Sequence, residues 1–170
     1  MRVLIAGIGN VLRGDDGFGP AVIDALNAEE DFEARAIDVG IGGIALVHEL
    51  MNGYDALVVV DCMRRGGAPG SVYVVAAEVP AAHTIAATGD VALAMDMHDV
   101  GPDRALVVAR AAGVLPPRVW IVGCEPGDDE ELVLELSGPV RAALPRAVEA
   151  VRRLVHDSAR DRTESVHGGR

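Results

Sequence analysis

The sequence predicts a three-layer α/β/α sandwich around a mostly parallel sheet, and three observations carry that expectation. Short continuous apolar runs alternate with segments of helical period, the pattern of parallel strands buried on both faces and covered by helices. The hydrophobic half of the chain is almost wholly aliphatic, with aromatics at 3%, which suits close helix-on-sheet packing better than a barrel. One connection is too short for a parallel crossover, so one strand should run antiparallel.

The elements follow in order. "RVLIAGI" is the first strand, and "GPAVIDALNAE" a helix with Pro20 early and Val22, Ile23 and Leu26 at helical spacing. "ARAIDVG", "GIALVHELM" and "DALVVVD" repeat the alternation as strand, helix and strand. "RRGGAPGSVYVVAAE" passes through a Gly/Pro turn straight into a β-rich run, the antiparallel strand. "GPDRALVVARAAG" reads as a helix and "RVWIVGCE" as the last strand. "SGPVRAALPRAVEAVRRLV" is a closing helix with Ser137 as its cap and Pro145 bending or interrupting it. At 170 residues, with no repeat or linker, one domain over 1–157 is expected. The polar tail 158–170 lacks apolar periodicity and is expected to be disordered.

Composition narrows the function. The net charge is -11, and all 15 basic residues are Arg, so a catalytic or phosphate-loop lysine is excluded. An acidic chain without a basic stripe is a poor nucleic-acid binder. The apolar start is too short for a signal or a membrane span, which points to a cytoplasmic protein with Cys62 and Cys124 as reduced core thiols.

Function is expected in loops at the carboxyl ends of the strands. There the stretch "GIGNVLRGDDGFG" sets Asp15 and Asp16 where many α/β proteins bind phosphate. Two carboxylates beside a pyrophosphate repel it, and the glycines lack the dinucleotide spacing, so a nucleotide site is disfavoured. One aspartate suffices to cap the following helix. The second gains meaning because "LVVVD" brings Asp61 to the end of a central strand, and "MDMHD" sets His98 ahead of a helix. One aspartate of the Asp15–Asp16 pair, with Asp61 and His98, from three loops at one sheet edge, makes an open site for a borderline divalent metal such as nickel or zinc. His48, His83, His156 and His167 read as structural or surface residues.

The segments "GIGNVLRGDDGFG", "VVVDCMRRGGAPGSVYVV", "MHDVG" and "VGCEP" occur in the order and at about the spacing of the hydrogenase maturation endopeptidases, and the chain resembles that family from about residue 1 to 155. The resemblance implies a five-stranded sheet with one antiparallel strand. It also implies removal of a C-terminal peptide from the large-subunit precursor of a nickel-iron hydrogenase once nickel is installed. Asp16, Asp61 and His98 would contact that nickel, which belongs to the substrate, and other divalent metals could substitute for it. The loop "DVGIGG" departs from the Asp-Gly-Gly-Thr common in relatives, which bears on selectivity.

The chemical step has two forms: an aspartate acting as general base on water, or a metal-activated water. No Ser-His-Asp order or HExxH helix occurs. Cys62 would be a nucleophile only if it shared the direction of Asp61, whereas strand neighbours point oppositely. Two alternatives are a nickel-sensing scaffold that leaves the precursor uncut and a zinc-dependent hydrolase of small amides.

Overall fold

A computed structural model describes residues 1–41, 43–79, 102–127 and 132–167. The described strands are β1 (Val3–Ile8), β2 (Arg35–Gly40), β3 (Ala56–Cys62), β4 (Val72–Ala76) and β5 (Arg118–Cys124). The described helices are α1 (Phe18–Asn27), α2 (Gly43–Leu50), α3 (Pro102–Ala111) and α4 (Gly138–His167), with a 3₁₀ turn at Gly14–Gly17. One sheet takes the order β2-β1-β3-β5-β4. Four strands are parallel, and β4 pairs antiparallel with β5. β5 slots between β3 and β4, so the short Gly/Pro connection crosses a strand position filled later in the chain.

Strand alternation divides the core into two layers. Val3, Ile5, Val58, Val60 and Val122 face α1 and α4, where Phe18, Val22, Leu26, Val140, Ala143 and Ala147 meet them. Leu4, Ala6, Leu57, Val59 and Val119 face α2 and α3 through Leu46, Leu50, Ala105 and Ala109. The central strands β1 and β3 are buried along both faces, as the aliphatic runs predict. Gly19 lets α1 approach closely: a Cβ there would fall 2.2 Å from the Ile8 carbonyl oxygen.

Two details differ from the sequence reading. α4 runs through Pro145 without interruption. The proline cannot donate to the carbonyl one turn earlier, yet Val140 and Ala143 before it and Ala147 and Val151 after it are all buried in the same core layer. The helix also continues past Ser158, where a disordered tail is expected, to His167. Ser158 is itself buried, and no Gly or Pro breaks the segment before Gly168.

Candidate active site at the carboxyl ends of the strands

β1, β2, β3 and β5 all end at one edge of the sheet. β1 leaves the sheet at Gly9, whose φ is +138° and whose N–H donates to the Gly40 carbonyl at 3.1 Å, tying the ends of β1 and β2 together. A Cβ on Gly9 would stand 1.8 Å from the Asp16 carbonyl oxygen. Glycine at this position is therefore a requirement of the aspartate turn folding back on β1, and the motif needs no phosphate to explain it.

The two aspartates are sharply divided. Asp16 is half-buried, and its Oδ2 accepts the Asn10 N–H at 2.8 Å, which closes the loop over the end of β1. Asp15 has no exposed surface. It does not cap α1, which has no side-chain cap bond, and neither does it meet solvent. Its Oδ1 accepts the Ser137 N–H at 2.7 Å, and its Oδ2 accepts the Gly127 N–H at 2.7 Å and the Ser137 hydroxyl at 2.9 Å. The expectation of a local helix cap is thus corrected: Asp15 fastens the opening loop to the chain after β5 and to the start of α4. A carboxylate in a dry interior keeps its charge only with such donors.

Asp61 ends the buried stretch of β3, and its Oδ1 accepts the Cys62 N–H at 2.7 Å. Alternation along β3 sets Asp61 on the face of Leu57 and Val59, the side covered by α2 and α3. Cys62 lies on the other face, where its thiol donates to the Asp15 carbonyl at 2.8 Å. This bond joins the aspartate turn to the end of β3 at the carboxyl edge of the sheet, where β3 also carries Asp61. It also takes Cys62 away from Asp61, against a nucleophilic role. Cys124 is no better placed for one. Burial first, and then the nearby Asp15 charge, push its thiol up to about 11, so it carries little thiolate at neutral pH.

His98 lies outside the described residues, as does His83. His98 precedes α3 in the sequence, and α3 packs on the face toward which Asp61 alternates. Among the described residues no group of three metal-capable side chains occurs. The described part of the predicted triad is the pair of carboxylates.

Two organising residues have roles that the sequence does not display. Glu125, just after β5, accepts the Arg65 N–H at 2.8 Å, the Gly66 N–H at 3.2 Å and the Tyr73 hydroxyl at 2.9 Å. These bonds, the Arg65 amide foremost, hold its carboxyl below the usual carboxylate range. The loop after β3 is therefore folded around a buried anion. Ser137 is read from sequence as a cap, but its partnership with Asp15 spans the fold and leaves no periodicity.

Comparison with known proteins bears on the family and the fold. A family model described as hydrogenase maturation protease matches residues 20–154. The hydrogenase expression/formation protein HupD of Rhizobium leguminosarum bv. viciae is 34% identical over 157 residues, covering 91% of this chain and 74% of that protein. The hydrogenase 2 maturation protease of Escherichia coli K12 is 28% identical, with 93% of each chain covered. Among solved structures, the hydrogenase 2 maturation peptidase from Thaumarchaeota archaeon SCGC_AB-539-E09 is 34% identical with a TM-score of 0.65, covering 91% of this chain and 98% of its own. The Escherichia coli maturating endopeptidase HybD shares the fold, with a TM-score of 0.70 over 93% of this chain and 94% of its own. With its fold and most of its length matched in this way, the chain belongs to the hydrogenase maturation protease family.

Proposed function

We propose that Asp16, Asp61 and His98 bind the nickel of the substrate, in a protease that removes the C-terminal peptide of a nickel-iron hydrogenase large-subunit precursor after nickel insertion. One observation supports this best: the Cys62 thiol bond to the Asp15 carbonyl ties the aspartate turn to the end of β3, so carboxylates distant in sequence share one edge. Two carboxylates and an imidazole leave positions open on a divalent ion, as recognition of a metal already held by the precursor requires. Cleavage then depends on metal because only a nickel-bearing precursor gains the binding that aligns its scissile bond. Water is the attacking group, activated either by an aspartate carboxylate or by the metal. We place the reaction in the cytoplasm, which suits two reduced thiols.

The test is incubation of the purified chain with nickel-loaded and nickel-free precursor, followed by the mass of the large subunit. Shortening confined to the nickel-loaded form is expected. Binding without shortening would make the chain a nickel-sensing scaffold. Stoichiometric zinc surviving chelator dialysis, with amide hydrolysis in the absence of precursor, would make it a zinc hydrolase.

A further inference from the structure

Aliphatic side chains stand exposed around the turn that carries Asp16. Val11 and Leu12 are 50% and 53% exposed, Ile41 is 62%, and Leu132 and Leu134 are 85% and 75%. They come from three loops that the backbone ties together. The Gly14 N–H donates to the Val133 carbonyl at 2.6 Å, laying the Leu132–Leu134 segment beside the aspartate turn. A Cβ on Gly17 would touch both the Val11 Cα, at 3.3 Å, and the Leu136 side chain, at 3.9 Å. The Gly9 bond to Gly40 brings Ile41 to the same edge. Single exposed leucines are ordinary, but a contiguous aliphatic rim is the mark of a binding surface.

We infer that this rim docks an aliphatic segment of the large-subunit precursor next to its metal, with Leu132 and Leu134 as the principal contacts. The inference rests on the function proposed above and adds the surface that selects the partner. Charge decides the occupant. The rim flanks the turn that carries Asp16 on a chain of net charge -11, so a second copy seated there would set like charges face to face. A precursor bearing a divalent cation brings the opposite charge to the carboxylates while its apolar residues cover the leucines. The metal is then read by the carboxylates, and the protein around it by the rim.

The experiment compares the wild-type chain with the double variant Leu132→Ser/Leu134→Ser in binding to immobilised, purified, nickel-loaded precursor. Both leucines are exposed, so the melting temperature should hold. The dissociation constant should rise at least tenfold, while the distant control Val74→Ser, exposed on the edge strand β4, stays within twofold of wild type. A folded double variant that binds within twofold of wild type overturns the inference. So does a wild-type dimer in sedimentation that the double variant turns into monomer, because the rim would then be a self-interface. Cleavage is followed separately. A wild-type chain that binds but leaves the precursor uncut refutes proteolysis, while the loss of binding in the double variant still supports docking.

Discussion

At the amino-terminal edge of the sheet, charge meets charge: the Arg35 guanidinium donates to Glu49 at 2.8 Å, and the Arg2 guanidinium lies 4.9 Å from the centre of the Tyr54 ring. At the opposite edge the bonds described for Asp15, Asp16 and Glu125 come from backbone N–H groups and hydroxyls. Neutral donors orient a carboxylate without cancelling its charge, whereas an ion pair cancels it. The first edge is therefore a structural seam; at the second, Asp15 and Glu125 are buried where they hold loops together, and of the three it is the half-buried Asp16 that keeps exposed surface. Concavity alone would mislead, because a cavity of about 360 Å³ opens at the amino-terminal edge between Arg2, Arg35, Tyr54 and Val155, far from the aspartates.

The substitution that breaks this contrast most completely is Asp16→Asn. It keeps size and hydrogen bonding while removing the anionic ligand, so cleavage of nickel-loaded precursor should fall to background with little change in melting temperature. An active Asp16→Asn enzyme would refute the assignment.

Asp15→Asn should show the complementary pattern, with stability as the primary loss. An amide can no longer accept at both oxygens from Ser137 and Gly127, and a mismatched donor in a dry site costs roughly 2–3 kcal/mol. Melting should drop by about 5–10 °C, measured by thermal denaturation at neutral pH. A drop under about 2 °C would mean that this fastening is not needed.

Glu125 gives a smaller, pH-dependent effect. Its folded pKa lies below the unfolded value, so its stabilisation is fully present above the unfolded pKa and is lost as pH falls through the folded one. Urea midpoints of Glu125→Gln and wild type should therefore differ at neutral pH and converge in acid. Parallel curves would show that the charge is unimportant there.

The smallest effect belongs to the other edge. Arg35 is well exposed, so Glu49→Gln should cost only about 0.5 kcal/mol and weaken with salt, with precursor cleavage at the wild-type rate. A loss of cleavage would mean that the two edges are coupled.

The layered fold was legible in the sequence because it rests on local periodicity. The aliphatic runs of β1 and β3 announce strands buried on both faces, and the short Gly/Pro connection announces β4 as antiparallel. Asp61 was legible too, since a polar residue closing an apolar strand must emerge at the sheet edge. The tertiary structure alone decided the rest. Asp15 and Asp16 look alike in sequence, and only the meeting of the aspartate turn with Gly127 and Ser137, more than a hundred residues away, buries one and leaves the other at the edge. Glu125 reads as the last residue of a strand until the Arg65 and Gly66 amides close on it. Pro145 reads as a bend or an interruption, and the core on both sides of it carries the helix through without interruption. In each case the deciding partner is distant in the chain, and a buried carboxylate or a proline is tolerated only where such partners replace the water or the bond it gives up.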